Sequence, residues 1–106
     1  MLERIVTTNL SRLRRKVNVA IRKFNKYRSP EAKAKLLRLD DKEIVVDFTG
    51  TFCQTCGFYD YFDDFRIFLE EIGIKTKIIE INKKIDGATV IFCPKKCSYN
   101  QIVINI

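Results

Sequence analysis

Apolar residues recur every three or four positions through the first 28 residues of the chain. An α-helix has about 3.6 residues per turn, so this spacing places the apolar residues along one side of a helix. We therefore predict a helix from about residue 3 to about residue 27, with its apolar stripe buried against the rest of the protein. The stripe consists of Val6, Leu10, Leu13, Val17, Ala20, Phe24 and Tyr27.

Two structures compete for the segment that follows this helix. Ser29 and Pro30 are typical of a helix start and favour a short helix over residues 30–38. An alternation of apolar and polar residues instead favours a β-hairpin over residues 34–48, with a turn at residues 40–42. We favour the hairpin, whose alternating apolar positions are Leu37, Leu39, Ile44, Val46 and Phe48.

The middle of the chain combines a strand, a helix and a second strand. Residues 43–48 lead through a loop into apolar positions with helical spacing, and Gly73 marks the end of that helix. Residues 75–81 follow as a strand, which gives a β-α-β unit with two parallel strands. The apolar positions of the helix are Phe58, Phe62, Phe65, Leu69 and Ile72.

The last part of the chain adds strands over residues 88–93 and 101–106. The connection before residue 88 is short and ends in Asp-Gly, so residues 88–93 should return antiparallel beside residues 75–81.

The predicted fold class is α/β (α+β), in a single domain over residues 1–106. A long N-terminal helix, residues 1–28, packs on or extends from a mixed sheet of four or five strands in residues 34–106. The sheet contains the β-α-β unit and a C-terminal antiparallel hairpin.

Positive charge is concentrated near the N-terminus. Residues 1–42 contain 13 Lys and Arg against 4 acidic residues, in a chain whose net charge is +7. Burial of the apolar stripe leaves a dense cationic surface, which is either an ordinary solvated helix face or a surface that binds a nucleic acid or an acidic protein. The candidate polyanion-binding residues are Arg12, Arg14, Arg15, Lys16, Arg22, Lys23 and Lys26.

The four cysteines form two closely spaced pairs, Cys53 with Cys56 and Cys93 with Cys97. A Cys-x-x-Cys segment at the start of a helix favours thiolates, because backbone N–H groups and the positive end of the helix dipole point at the sulfur. Such a pair can bind a metal or exchange disulfides. Two such pairs are also typical of a four-cysteine zinc site.

The predicted topology separates the two pairs. Cys53 and Cys56 lie at the carboxyl edge of the parallel strands, whereas an antiparallel strand over residues 88–93 ends at the opposite edge. Five or six strand residues put about 15–20 Å between the pairs, and a zinc–sulfur bond is only about 2.3 Å long. We therefore expect Cys53 and Cys56 to form the functional pair, and Cys93 and Cys97 to form a structural disulfide or a pair of buried thiols.

Residues 36–79 resemble the C-terminal domain of NifU and Nfu-type iron–sulfur scaffold proteins. The resemblance lies in the order of helix, hairpin, strand ending in glycine before Cys-x-x-Cys, helix and strand. It implies that Cys53 and Cys56 are ligands of an iron–sulfur cluster shared between two chains. The sequence departs from that family by an extra residue before the first cysteine, and by Gly57 where the family usually has proline.

The shorter run from residue 45 to Cys56 is similar to the active segment of thioredoxin. An acid, Asp47, lies six residues before the first cysteine, and Phe52 directly precedes it. The resemblance implies a thiol–disulfide oxidoreductase in which Cys53 attacks, Cys56 resolves and Asp47 carries a proton. The chain departs from that family in lacking the cis-proline that faces the active pair.

Composition excludes several other classes of protein. The chain has no histidine, so it contains neither a Ser-His-Asp nor a Cys-His catalytic site, nor a mixed Cys/His metal site. It has no glycine-spaced phosphate loop, which argues against a bound nucleotide. No apolar run is long enough to cross a bilayer, so we expect a soluble, cytoplasmic protein with no membrane partner. Abundant Ile and Lys without Trp resemble thermophile compositions, in which intracellular disulfides are common.

These observations favour a small binding protein rather than an enzyme. The leading interpretation is a protein that binds an iron–sulfur cluster or zinc through Cys53 and Cys56, shared across a homodimer. One alternative is the thioredoxin-like oxidoreductase. The other is a basic nucleic-acid-binding module in which the cysteines are structural.

Overall fold

A computed structural model describes residues 2–29, 32–50, 58–94 and 103–105 of the chain. Two helices and a five-stranded mixed sheet form the described part of the chain, which confirms the predicted α+β class and the long N-terminal helix. The elements are α1 (Leu2–Arg28), β1 (Ala32–Leu39), β2 (Ile44–Gly50), α2 (Phe58–Glu71), β3 (Thr76–Lys84), β4 (Gly87–Pro94) and β5 (Val103–Asn105).

β1 and β2 form the antiparallel hairpin that alternation predicted, and the short helix over residues 30–38 is wrong. The turn is held by Asp40, whose carboxylate accepts hydrogen bonds from the backbone N–H groups of Lys42 (2.8 Å) and Glu43 (2.7 Å). The bond from Lys42 is the main reason that the pKa of Asp40 lies below its ordinary value. Local side-chain bonding of this kind is what makes aspartate favourable in turns.

The sheet has the strand order β1-β2-β4-β3-β5. β4 pairs antiparallel with both β2 and β3, so β2 and β3 are parallel, as expected for the β-α-β unit, but they are not neighbours. The predicted antiparallel pairing of residues 75–81 with residues 88–93 is confirmed by β3 and β4.

The last strand lies in a different place from the expected one. The predicted C-terminal antiparallel hairpin, which would pair residues 88–93 with residues 101–106, is wrong, because β5 pairs parallel with β3. Both edges of β4 are already occupied by β2 and β3, which leaves the outer edges of β1 and β3, and β5 pairs with that of β3.

Both helices pack on the same face of the sheet, around Phe48 at the centre of β2. The centroid of the Phe48 ring lies 5.4 Å from that of Phe24 in α1 and 5.6 Å from that of Phe65 in α2. Phe62 (5.1 Å) and Phe92 (6.3 Å) complete the contacts to this ring. All five rings are fully buried, so this aromatic cluster joins α1, α2, β2 and β4 in one core.

The apolar stripe of α1 is buried as predicted at Val17, Ala20 and Phe24, but Tyr27 is 66% exposed. Tyr27 is the second-last residue of α1, three positions beyond Phe24, the last fully buried residue of the stripe. Tyr27 instead contacts the ring of Phe68 in α2, with centroids 5.9 Å apart.

α1 also covers the outer edge of β1. The side-chain N–H of Asn25 donates to the carbonyl oxygen of Ala34 (3.1 Å). The side-chain oxygen of Asn25 accepts from the backbone N–H of Ala34 (2.6 Å). The helix thereby pairs backbone groups that an edge strand otherwise leaves open.

The β3–β4 turn packs closely against the end of β2. The N–H of Gly50 donates to the carbonyl oxygen of Asp86 (2.9 Å), and Gly87 lies directly beside Thr49. A Cβ atom on Gly87 would overlap the carbonyl oxygen of Phe48, which belongs to the strand at the centre of the core. This position therefore requires glycine.

We expect Gly87→Ala to lower the free energy of unfolding by about 1–3 kcal/mol, the usual cost of inserting an atom into filled space. Denaturant unfolding at equilibrium measures the change. The neighbouring variant Ile85→Ala is the control, because that side chain is 99% exposed and its loss should cost less than about 0.5 kcal/mol. Equal stability of the two variants would contradict the close approach of the turn to β2.

Candidate functional sites

A dense group of cations covers the solvent side of α1. All seven predicted residues are exposed, and we call them the α1 cationic surface. They span 14 helix positions, which corresponds to about 21 Å. The residues are Arg12, Arg14, Arg15, Lys16, Arg22, Lys23 and Lys26.

The cations of this surface are not used in ion pairs within the part of the chain that the structure describes. The described ion pairs are all made by other cations, and they join Arg28 to Asp64, Arg38 to Glu43, Arg66 to Asp63 and Glu70, and Lys84 to Asp47. Within those residues, no ion pair therefore offsets the positive charge of the α1 cationic surface.

Arg28 differs from its neighbours on α1. Its guanidinium bonds to the carboxylate of Asp64 and lies over the rings of Tyr27 (5.0 Å) and Tyr61 (4.6 Å). The hydrogen bond to Asp64 is the main cause of the raised pKa of Arg28. Arg28 thus links the end of α1 to α2. Its guanidinium is already paired with a carboxylate, unlike the side chains of the α1 cationic surface.

Two clefts lie where α1 meets α2 and the turn that follows α2. The first, of about 340 Å³, is lined by Arg12, Leu13, Lys16, Gly73, Ile74, Lys75 and Pro94. The second, of about 500 Å³, is lined by Lys23, Lys26, Tyr27, Phe68 and Glu71. We call the residues of these two clefts the α1–α2 seam. Five cations line it, and Glu71 is the acid among its lining residues.

Among the residues of the seam that sequence reasoning missed are Lys75 and Tyr27. Lys75 is an isolated charge in a short connection, and only the packing of that connection against α1 brings it near Arg12 and Lys16. Tyr27 was assigned to the buried stripe, but it is exposed at the end of α1. The presence of a tyrosine rather than an aliphatic residue at the end of the stripe was the one available signal.

Cys53 and Cys56 lie outside the described residues, so their own arrangement stays a prediction. The elements that flank them are as expected, because β2 ends at Gly50 and α2 begins at Phe58. Asp47, the proton carrier implied by the thioredoxin resemblance, lies in β2 and is largely buried. Its carboxylate is paired with Lys84 and accepts a hydrogen bond from the hydroxyl of Thr89 (3.0 Å).

Cys93 is 1% exposed and forms a disulfide bond. It lies near the end of β4, opposite Lys77 and next to Pro94. Its neighbour Phe92 faces the helices, so the side chain of Cys93 points to the other face of the sheet. Cys97 lies outside the described residues.

The described strands place Cys93 far from the end of β2. Thr49 pairs with Gly87 at one end of β4, and Cys93 lies six residues further along, about 20 Å away. This arrangement agrees with the expected separation of the strand ends that lead to the two cysteine pairs. Within the described residues there is no group of three or more His, Cys, Asp or Glu side chains that could hold a metal.

Comparison with known proteins gives no match for this chain among family models, curated proteins or solved structures. The resemblances to the NifU and thioredoxin families therefore stay predictions. Among the described helices, none is both long and apolar enough to span a membrane.

We propose Cys97 as the disulfide partner of Cys93. Cys53 follows Gly50 by three residues, which reach at most about 11 Å, and disulfide-bonded Cα atoms are less than about 7 Å apart. These two lengths together do not cover the distance from the end of β2 to Cys93, which argues against Cys53. Cys97 is only four residues from Cys93, far closer along the chain than Cys56.

Tryptic mapping of the alkylated, non-reduced protein tests this pairing, because Lys95 and Lys96 separate the two cysteines. We expect peptides 85–95 and 97–106 to be linked, and peptide 43–66, which carries Cys53 and Cys56, to be separate. A link between peptides 85–95 and 43–66 would refute the assignment.

Proposed function

We propose that this protein binds the phosphate backbone of nucleic acids through the α1 cationic surface. The observation that carries the proposal is a set of seven exposed cations on one helix, none of them in an ion pair within the described part of the chain. The phosphates of a nucleic acid supply closely spaced negative charges that match such a surface. One guanidinium group can also bind two oxygens of the same phosphate.

The packing of α1 favours a nucleic acid over a lipid surface. A helix that binds in the membrane interface inserts its apolar side between the lipids. The apolar side of α1 is occupied instead, with Val17, Ala20 and Phe24 fully buried against the core. The side that remains is charged, and it is suited to phosphates rather than to acyl chains.

The expected binding mode does not depend on base sequence. Contacts to phosphates fix the position of a protein on the strand but carry no sequence information. Cations that replace condensed counterions also make the affinity fall steeply as salt is added. The protein acts here as a binding module, and the proposal requires no chemical step.

We expect the triple variant Arg14→Ala, Arg15→Ala, Lys16→Ala to bind oligonucleotides more weakly than the wild type. If three phosphate contacts are lost, the slope of log K against log salt becomes shallower by about 2 on a single strand. Fluorescence anisotropy titrations of a labelled oligonucleotide at several salt concentrations give both quantities.

The matched control removes three exposed cations elsewhere, in Lys33→Ala, Lys35→Ala, Lys42→Ala. It changes the net charge by the same amount and should retain most of the affinity. If both triple variants weaken binding equally, or if the wild type does not bind, then α1 is not the binding surface.

A second candidate function rests on Cys53 and Cys56. It is supported by the strand that ends at Gly50 and the helix that begins at Phe58, because the Cys-x-x-Cys segment connects them. A pair of thiols at a helix start is favourable for metal binding. Under this proposal the pair holds an iron–sulfur cluster or zinc, and two copies of the chain supply the four thiolates.

Metal analysis of protein purified without oxygen tests this second candidate. We expect iron with acid-labile sulfide, or zinc, at one site per two chains, and loss of the metal in Cys53→Ser and Cys56→Ser. Lys33→Ala is a surface control that should retain it. Wild-type protein without either metal would contradict the proposal and would leave nucleic-acid binding unaffected.

A further inference from the structure

We infer that the α1–α2 seam binds a single strand, with Tyr27 as the surface on which an unpaired base stacks. This inference rests on the proposed function, because it names the form of nucleic acid that the same cations recognise. It combines three observations: the cations along the seam, the exposed aromatic ring within it, and the clefts at its two ends.

The cations follow the seam along its length. Arg12, Lys16 and Lys75 lie around the first cleft, and Lys23 and Lys26 lie at the second. The distance along α1 from Arg12 to Tyr27 is 15 residues, or about 22 Å. A backbone that follows this line meets positive charge at both ends, as in the grooves that bind single strands.

Tyr27 is both accessible and held in place. Its side chain is 66% exposed, while its ring contacts the ring of Phe68 at an interplanar angle of 76°. The guanidinium of Arg28 lies 5.0 Å from the ring centroid and is anchored in turn by Asp64. A ring fixed in this way loses little entropy when a base stacks on it.

The location of the ring argues for an unpaired base. In a duplex the faces of the bases are covered by their neighbours, and a side chain reaches only their edges in the grooves. Stacking on Tyr27 requires a base face, which a single strand presents. A duplex would meet the α1 cationic surface through its phosphates alone.

Glu71 is the feature of the seam that opposes binding. Its exposed carboxylate lines the second cleft with Lys23, Lys26 and Tyr27, and it would repel a phosphate there. Neutralising it should therefore strengthen the binding of a strand that follows the seam, but not of a ligand that binds elsewhere on α1.

Anisotropy titrations of the full chain with labelled oligothymidylate of about 12 nucleotides, and with a duplex of the same length, test the inference. We expect Tyr27→Ala to weaken single-strand binding by about 5- to 100-fold and to leave duplex binding nearly unchanged. Tyr27→Phe should bind like the wild type, because the ring is retained. Tyr59→Ala, which removes another exposed tyrosine from α2, is the matched control and should have no effect.

A second variant tests the seam by a charge change, without removing an aromatic ring. Glu71→Gln should bind the single strand more tightly than the wild type, whereas Asp41→Asn, an equal charge change in the β1–β2 turn, should not. If Tyr27→Ala and Glu71→Gln both bind the single strand as the wild type does, the seam is not its site. That result would leave backbone binding by α1 intact, whereas wild-type protein that binds neither oligonucleotide would refute the proposed function itself.

Discussion

The packing of both helices on the ring of Phe48 is the constraint on which the rest of the structure depends. Phe24 from α1 and Phe65 from α2 contact the same ring, so neither helix can rotate without opening the core. Fixing Phe24 inward also fixes the opposite side of α1 outward. The cations thus lie on a rigid support, and the core determines which side of α1 is exposed.

Those parts of the fold that have local causes could be predicted from the sequence. The 3.6-residue period gave α1 and α2, and the two-residue period gave the hairpin of β1 and β2. The insertion of β4 between β2 and β3, and the place of β5 beside β3, depend on which strand edges remain open in the assembled sheet. No local pattern in residues 101–106 contains that information.

The candidate sites likewise have features that could be predicted from the sequence and features that could not. The cations of α1 could be named from the sequence, because an apolar stripe on one side of a helix implies which residues are exposed. Which of these cations form ion pairs could not be predicted, because pairing is long-range, as between Arg28 and Asp64, 36 residues away. Lys75 joins Arg12 and Lys16 only through the packing of the turn after α2. Cys53 and Cys56 were predicted from their motif and lie outside the described residues.

The amide of Asn25 occupies the position on β1 that the backbone of a neighbouring strand would otherwise take. For a second copy of the chain at this edge, the backbone N–H and C=O groups of Ala34 are already hydrogen-bonded. The exposed Lys33 and Lys35 would also repel the same lysines of that copy. Self-association by lateral sheet growth is thereby blocked on this side. If α1 binds a polyanion as proposed, copies of this protein crowded along one strand do not polymerise through β1.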